Sequence, residues 1–435
     1  SHNIGRFPPR STINPMQPKV SDPERARQFA IDVVGRLRTA GFQAFWAGGC
    51  VRDELLGRIP ADYDVATSAK PDEVREVFGR RRTLAVGAAF GVITVLGPKD
   101  SGQIEVATFR TDEAYTDGRH PAGVRFSSPE EDAQRRDFTI NGLFLDPISG
   151  EVHDFVGGRE DLKAGVVRAI GVPAMRFGED HLRMLRAVRF AAAFGFALDG
   201  ETRAAIERMT HLVTTVSPER IAAEMRAMVG RPGRRRALEL LDETGLAREV
   251  LPEVAPSAGD EACHAAWHEA ARIIDALDEP DLSTALAALF ESAGEERLRH
   301  AAHRLRLSNR EVKLACWLLD AVAALGSATA DELAARPWSQ VQPRLAHDDA
   351  FLLADLLRAR ADCGRGNAHG AAWVTAQASR PKAELDPPPL VTGSDLMAAG
   401  IPEGRALGAA LAALRAKQLD GEIASREAAI EWVRR

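Results

Sequence analysis

The chain has 435 residues, of which 45% are hydrophobic and 27% are charged, and its formal net charge is −6 at pH 7. This length is too great for one compact core and predicts two to four domains, while the negative charge argues against a surface that is basic everywhere but is compatible with a local basic groove. Four scattered cysteines exclude a disulfide framework or a zinc site, and no charge-free apolar run approaches the ~20 residues of a membrane span, so we expect a cytoplasmic protein.

The first part of the chain has a mixed α/β pattern. Residues 1–20 are Pro-rich and predict a disordered leader that starts with a tag remnant. Phe42–Ala47 and Val92–Leu96 are β-prone runs, and Ile104–Phe109 alternates as a half-buried strand does. Between them, Pro71–Phe78 predicts a helix that follows Ser68. We therefore expect an α/β domain up to about residue 147.

The rest of the chain, from Met175 onward, has the pattern of a helical array. It is rich in Ala, Leu, Arg and Glu, with apolar residues at helical spacing and almost no strand signal. Leu182–Phe194, Pro218–Val229 and Arg405–Ala416 are the clearest predicted helices. No fixed-period repeat is visible, so a solenoid is not indicated.

The strongest local motif joins a glycine pair to two acids. Gly48 and Gly49 follow a β-prone run, where backbone N–H groups can approach a phosphate closely, and Arg52 offers a guanidinium to it. Asp62 and Asp64 are two residues apart, so on an extended strand both carboxylates project from one face. Such a pair repels unless a cation lies between, and Mg²⁺ prefers oxygen ligands. A turn and a solvated acidic loop explain each half alone, but the order and closeness of the two favour a nucleotide site.

A second element is the segment Arg135–Gly142, in which two arginines precede an acid, a β-prone run and an amide. Arg136 is a candidate triphosphate ligand, and Asn141 could bond a ribose or a backbone group. A surface ion pair that leads into a strand is the alternative.

A third element is the segment Glu179–Arg189. Asp180, Arg183 and Arg186 recur every three residues, which places them near one face of a predicted helix. An acid beside an arginine can read a base edge, because the carboxylate accepts from an exocyclic amine while the guanidinium donates to ring acceptors. The alternative is a solvated helix face with ion pairs.

With these elements in place, the chain resembles the bacterial class II CCA-adding enzymes and poly(A) polymerases, which belong to the polymerase-beta nucleotidyltransferase superfamily. The resemblance starts near Phe42, extends to the C-terminus and is strongest over Phe45–Arg189. Family motifs A to E correspond, in order, to Gly48–Thr67, Arg135–Leu143, Asp154–Arg168, Glu179–Phe190 and Ser217–Glu224.

The resemblance implies an α+β fold, with a polymerase-beta-like α/β nucleotidyltransferase head followed by an all-helical neck, body and tail. The implied bounds are 21–155 for the catalytic head, 156–250 for the neck with its nucleotide-selecting helix, 251–380 for the body and 381–435 for a tail that binds tRNA.

The resemblance also implies residue roles. Asp62 and Asp64 would hold two catalytic Mg²⁺ ions, and Glu105 is a candidate third carboxylate, the alternative being a buried strand acid paired with Arg110. Among the remaining implied nucleotide ligands, the residues that would bind the triphosphate are Gly48, Gly49, Arg52 and Arg136. The base-selecting pair would be Asp180 and Arg183, and Arg186 and Arg189 would support the pocket.

The activity that the resemblance implies is addition of C, C and A to the 3′ end of tRNA from CTP and ATP. The segment Tyr115–Pro121 resembles the family's flexible loop for switching nucleotides, which CC-adding relatives lack. Gly79–Gly87 begins like the signature of poly(A) polymerases and then departs from it. An A-adding enzyme or a poly(A) polymerase is the alternative. No protein partner is predicted.

The helical half carries three weaker signals. Leu289–Ser292 aligns where many relatives have a His-Asp metal dyad, with Phe and Glu in its place, so hydrolase activity is not expected. Basic residues at a helix start are candidates for sequence-blind RNA backbone contacts, and segments 391–396 and 419–422 resemble tail motifs that grip the tRNA elbow. The basic residues are Arg231, Arg234, Arg235 and Arg236.

Two hypotheses from other classes compete with catalysis on RNA. A non-catalytic RNA-binding protein of the same fold would be expected to have lost one of the two acids, and both are present. A small-molecule nucleotidyltransferase would not need the extended helical array or the Asp180/Arg183 pair.

Overall fold

The structure is a computed structural model and describes residues 22–112, 124–257 and 259–434. The whole of the predicted leader and the loop segment Tyr115–Pro121 lie outside these ranges. The chain divides into two compact units, Ser1–Pro252 and Glu253–Arg435. The finer division into head, neck, body and tail stays a prediction.

The first unit is built on a seven-stranded mixed sheet with the strand order β3-β4-β5-β2-β1-β8-β9. Strands β2 and β5 run parallel, and the other neighbouring pairs are antiparallel. Its strands are β1 (Ala44–Ala47), β2 (Asp64–Thr67), β3 (Thr83–Leu84), β4 (Val92–Leu96), β5 (Gln103–Thr108), β8 (Leu143–Leu145) and β9 (Val152–Asp154).

Two small sheets complete the strands of this unit. β6 (Arg110–Asp112) pairs antiparallel with β7 (Val124–Phe126), and β10 (Val166–Val167) pairs parallel with β11 (Ala197–Leu198).

Helices surround the main sheet and continue beyond it to the end of the first unit. Phe109 and Phe144 are buried in a core cluster with small residues of β1 and β2, which lets the chain pack closely beneath the glycine motif. The helices are α1 (Pro23–Thr39), α2 (Gly49–Leu55), α3 (Pro71–Phe78), α4 (Pro129–Gln134), α5 (Gly158–Ala164), α6 (Pro173–Glu179), α7 (Leu182–Phe194), α8 (Gly200–Met209), α9 (Pro218–Val229), α10 (Arg234–Glu243) and α11 (Leu246–Val250).

The second unit is helical throughout its described residues. Local signals start several of these helices: the Ser308 hydroxyl accepts from the Glu311 N–H while the Glu311 carboxylate accepts from the Ser308 N–H, and Thr329 and Glu332 do the same. The helices are α12 (Glu261–Ala276), α13 (Leu282–Leu289), α14 (Glu295–Arg304), α15 (Asn309–Leu325), α16 (Ala330–Ala335), α17 (Trp338–Leu345), α18 (Ala350–Asp362), α19 (Ala368–Ala378), α20 (Lys382–Leu385), α21 (Gly393–Ala398), α22 (Arg405–Leu419) and α23 (Arg426–Arg434).

The predicted α+β architecture is confirmed, and Pro71–Phe78, Val92–Leu96 and Leu182–Phe194 have the predicted bounds. The run after Asp137 was predicted as β-prone, but Thr139–Asn141 forms a 3₁₀ turn, with its strand starting at Leu143. No helix in the described ranges combines the length and apolar character that a membrane crossing requires.

Candidate active site

Two acidic side chains lie at the start of β2, on the solvent side of the sheet. Tyr63 between them is buried, with its ring centroid 4.7 Å from that of Trp46, while Asp62 and Asp64 are exposed. Asp62 precedes the strand rather than lying on it. The alternation around the buried tyrosine nevertheless directs both acids toward solvent, as their spacing predicts.

A third acid joins them from the neighbouring strand. In the parallel pairing of β2 and β5, Asp64 is directly opposite Glu105, so both side chains project from the same face. Glu105 is exposed, so the alternative prediction of a buried strand acid is wrong. Its partner in that prediction, Arg110, donates from its guanidinium to the Phe90 carbonyl.

The three carboxylates form an electrostatically unfavourable group. Partial desolvation, together with the nearby charges of Asp62 and Glu105, raises the pKa of Asp64 to about 6, and the positive charge of Arg136 opposes that shift. Within the described part of the chain, none of the three acids forms an ion pair with a basic side chain. Three unpaired carboxylates on one face are a fitting ligand set for a hard divalent cation.

The glycine motif lies on the other side of β2 from Glu105, where β1 ends and α2 begins. Gly48 has a φ of 76°, and a Cβ there would lie 2.8 Å from Nη1 of Arg136. Nη1 of Arg136 donates to the Asn141 carbonyl at 3.3 Å, and its Nη2 lies 3.0 Å from the Asp132 carboxylate. Glycine is therefore required for the guanidinium to lie against this turn.

Arg52 is held from several sides. Its Nη1 donates to Oδ1 of Asn141 at 2.6 Å, its Nε donates to Oδ1 of Asp53 at 2.8 Å, and its guanidinium carbon lies 4.5 Å from the ring centroid of Phe194. The side chain is buried. A phosphate can reach this guanidinium only through the N–H groups that these partners leave available.

Asn141 links the glycine motif to the helix α7. Besides accepting from Arg52, it donates from Nδ2 to Asp137 at 3.1 Å, and Asp137 accepts from Nε and Nη2 of Arg186 at 2.9 and 2.7 Å. Desolvation would raise the pKa of Asp137, but Arg186 and Asn141 outweigh it and bring the pKa to about 2. The result is a hydrogen-bonded chain of four side chains across the first unit.

The predicted base-selecting pair, Asp180 and Arg183, lies at the junction between α6 and α7. Asp180 is not on a helix: it follows α6, and its carboxylate accepts from the Leu182 N–H at 3.1 Å, so α7 starts at Leu182. Both nitrogens Nη1 and Nη2 of Arg220 donate to Asp180, at 3.1 and 2.7 Å. Arg183 donates to the Glu179 carboxylate and, at 2.8 Å, to the Arg176 carbonyl. Asp180 and Arg183 are thus each oriented by a further charged residue.

The other predicted arginines are also engaged. Arg189 donates to Glu224 at 2.6 Å inside the unit, and burial lowers the pKa of this arginine while Glu224 opposes the shift. On α10, Arg235 and Arg236 pair with Glu239, and Arg236 also pairs with Glu243. These exposed pairs reduce the positive charge that the helix start presents to a nucleic acid.

In the second unit, Glu291 lies at the position that corresponds to the aspartate of the His-Asp dyad in many relatives. It pairs through both carboxylate oxygens with Nε and Nη2 of Arg360, at 2.9 and 2.5 Å. Its neighbour Phe290 is buried. This position is therefore occupied by a structural ion pair.

Sequence reasoning missed the acids and the arginine that orient the predicted ligands. They include Glu179, which adjoins the base-selecting pair, and Asp137, which lies within the second motif. For these two acids, the predicted ligands next to them in the sequence could have indicated that they belong to the site. Arg220 and Glu224 lie far along the chain from the residues with which they pair, so their positions in the sequence gave no such indication. The full set of missed partners is Asp132, Asp137, Glu179, Arg220 and Glu224.

Two family models match parts of the chain. Residues 44–168 match the poly A polymerase head domain. Residues 195–257 match the family described as "Probable RNA and SrmB- binding site of polymerase A". These parts of the chain are thus similar to the head and RNA-binding regions that the two models describe.

Curated CCA-adding enzymes match about half of the chain. The CCA-adding enzyme of Geobacillus stearothermophilus is 43% identical over 229 residues, which are 52% of this chain and 55% of that protein. The CCA-adding enzyme of Listeria monocytogenes is 45% identical over 213 residues, which are 49% of this chain and 53% of that protein. The chain thus spans about half the length of the curated relatives it matches.

Solved structures of CCA-adding enzymes match over more of the chain. The CCA-adding enzyme of Bacillus stearothermophilus in complex with CTP has a TM-score of 0.71 and 29% identity, covering 94% of this chain and 96% of that one. The Thermotoga maritima CCA-adding enzyme complexed with tRNA has a TM-score of 0.60 at 21% identity, covering 95% and 96%, and shows a shared fold.

Proposed function

We propose that the protein is a CCA-adding tRNA nucleotidyltransferase, which adds C, C and A to the tRNA 3′ end from CTP and ATP. The observation that carries this proposal is the group of three unpaired acids beside a guanidinium-lined glycine turn. The similarity to CCA-adding enzymes, including one crystallised with CTP, supports the nucleotide and RNA substrates.

The acids fit a divalent metal, and we propose Mg²⁺, with two ions. Asp62 and Asp64 would hold it together with Glu105, whose register opposite Asp64 supports its role as the third ligand. When bound, such ions activate an attacking hydroxyl and stabilise the departing pyrophosphate.

Within this proposal, the protein's own residues position the reactants. Gly48 and Gly49 let backbone approach the triphosphate, while Arg52 and Arg136 supply charge on the β1 side of the acids. In-line displacement then requires the RNA 3′-hydroxyl to enter from the opposite side, near Glu105.

Nucleotide choice is assigned to Asp180 and Arg183. A carboxylate held by Arg220 stays an acceptor for the exocyclic amine that cytosine and adenine share, and Arg183 donates to ring acceptors. Arg186 and Arg189 support this pocket through their pairs with Asp137 and Glu224.

The test is incorporation of each nucleotide separately into three RNAs: tRNA ending before CCA, tRNA ending in CC, and an unrelated RNA. CCA addition predicts C on the first, a single A on the second and little on the third. Asp62→Asn should abolish incorporation, and wild-type protein that adds nothing to any tRNA refutes the proposal.

The second candidate is a poly(A) polymerase or an A-adding enzyme, which the stretch Gly79–Arg82 favours by its likeness to the poly(A) signature. Long A tracts on all three RNAs would establish the former, and A on the second RNA without C on the first would establish the latter.

The remaining assignments complete the proposal. The first unit would contain the head (21–155) and the neck (156–250), and the second would contain the body (251–380) and a tRNA-binding tail (381–435) in a cytoplasmic enzyme. RNA backbone contacts on the helical side are assigned to Arg231, Arg234, Arg235 and Arg236.

A further inference from the structure

A turn of three consecutive arginines lies at the edge of the main sheet. Arg80–Arg82 form a 3₁₀ turn between the end of α3 and the start of β3, and all three are exposed. The turn is fixed by its backbone, because the Arg82 N–H donates to the Gly79 carbonyl at 3.0 Å and the Thr83 hydroxyl donates to the same carbonyl at 3.2 Å. Three guanidinium groups are thus presented from a defined position.

The charge of this turn, here called the arginine turn, is not neutralised. In the residues that the structure describes, no carboxylate lies within ion-pairing distance of Arg80, Arg81 or Arg82. Arg235 and Arg236 on α10, by contrast, pair with glutamates one turn further along their helix. The arginine turn is therefore the stronger local attraction for a polyanion.

The strand that directly follows the arginine turn is aligned with the acids by the strand register. Leu84 is opposite Thr94, Thr94 is opposite Glu105, and Glu105 is opposite Asp64. Directly opposed residues share a face, so this row lies on the side of the sheet that carries the acids. Three strand spacings of about 4.8 Å place Leu84 roughly 14 Å from Asp64 along the row.

Apolar side chains after the turn are also open to solvent. Leu84 is 45% exposed and Phe90 is 50% exposed. Proteins that bind single-stranded nucleic acid combine positive charge along the backbone with aromatic faces for the bases. Phe90, which follows the arginine turn closely in the chain, supplies an exposed aromatic ring in addition to the unpaired arginines.

The direction of in-line attack indicates which ligand the arginine turn binds. The triphosphate ligands Arg52 and Arg136 lie on the β1 side of the acids, so in-line attack brings the acceptor hydroxyl from the β5 side. The strand that carries this hydroxyl then continues over β4 toward β3. We propose that the arginine turn, with Leu84 and Phe90, binds the backbone of the acceptor RNA a few nucleotides upstream of its 3′ end. This inference rests on the proposed function.

The test replaces all three arginines, Arg80, Arg81 and Arg82, by glutamine in the full chain. The measurements are KM for tRNA ending in CC, KM for ATP, kcat, and the salt dependence of RNA binding. Loss of three single-strand phosphate contacts should lower the slope of log K against log[salt] by roughly 2 and raise the RNA KM by about tenfold or more. The KM for ATP should stay unchanged.

Two variants control this test. Arg25, Arg297 and Arg310 are exposed and outside every assigned site, so changing them together to glutamine matches the loss of charge and should leave the RNA KM unchanged. Lysine at all three positions of the turn keeps the charge and should largely restore the salt slope.

A second measurement locates the contact. A primer series with one neutral methylphosphonate at each of the last few linkages should show a position where wild-type affinity falls and the glutamine variant loses nothing further. An RNA KM and salt slope equal to those of the matched control would overturn the inference. Wild-type protein that binds RNA in this way but adds no nucleotide would instead refute the proposed function.

Discussion

Arg220 offers the sharpest test of the proposed nucleotide selection. It contacts Asp180 through two N–H···O bonds of 3.1 and 2.7 Å, and the side chains of Arg220 and Asp180 are 25% and 16% exposed. We expect Arg220→Gln to leave the RNA-binding surface and the three acids intact. The change should act only through the orientation and charge balance of the Asp180 carboxylate.

The size of the effect follows from this geometry. A hydrogen bond to a charged group contributes about 1.5–3 kcal/mol, and a misplaced base-reading pair costs about 1–3 kcal/mol of discrimination. Preference for CTP over UTP, measured as a ratio of kcat/KM, should therefore fall by about 10- to 100-fold. Arg220→Lys keeps the charge but not the paired contact and should show an intermediate loss.

The assay is single-nucleotide incorporation into tRNA ending before CCA, with CTP and UTP in separate reactions. A change in the ratio distinguishes positioning of Asp180 from general destabilisation, since a less stable enzyme loses both activities together. Unchanged selectivity in a folded Arg220→Gln protein would refute the reasoning.

Three further predictions concern the three acids, the hydrogen-bonded chain of side chains that includes Asp137, and the glycine turn at Gly48. Asp62→Asn should lower incorporation by about 10³-fold or more while tRNA affinity, measured by filter binding, changes little; retained turnover would contradict the metal role. Asp137 has a pKa of about 2, below its ordinary 3.8, so its ionic contribution is present above pH 4 and is lost as the pH falls through 2. Asp137→Asn should therefore lower stability by roughly 2 kcal/mol at pH 7, in chemical denaturation, and by much less near pH 2, with an equal loss at both pH values counting against the Arg186 pair. Gly48→Ala should raise the KM for both nucleotides and cost about 1–2 kcal/mol of stability, because its Cβ would meet Arg136 and its φ is positive; wild-type KM values would show that the turn tolerates a side chain.

Local patterns in the sequence predicted the helices whose start or apolar face depends on residues close together in the chain. The helix over Pro71–Phe78 begins with a proline in its first turn, and the helix over Leu182–Phe194 has a clear apolar stripe. The spacing of Asp62 and Asp64 placed both acids toward solvent for the same reason, since alternation along an extended chain is a property of the backbone.

The prediction of Asp180 within a helix was wrong for a reason that the sequence did contain. Aspartate favours positions where its carboxylate can accept a free backbone N–H, and Asp180 accepts from Leu182. Cap chemistry thus overrode the three-residue spacing. The 3₁₀ turn at Thr139–Asn141 has a tertiary cause instead, because the Thr139 hydroxyl donates to the buried Asp161.

Three of the pairings could not be predicted, because their two residues lie far apart in the chain. Arg52 and Asn141 are 89 residues apart, Arg186 and Asp137 are 49 apart, and Arg220 is 40 from Asp180. Side-chain pairing over such separations depends on how the helices pack against the sheet, which no local spacing encodes.

The charge arrangement of the site explains why nucleotide and cation should bind together. Every assigned arginine of the pocket has an acidic or amide partner in the protein, so these guanidinium groups are held in place before a substrate arrives. The three acids on the sheet have no such partner in the described residues, and their mutual repulsion raises the pKa of Asp64. A triphosphate alone would bring more negative charge to this face and a cation alone would leave the guanidinium groups without a phosphate. A nucleotide that carries its cation satisfies both sets of groups at once, and we expect it to bind more tightly than either component.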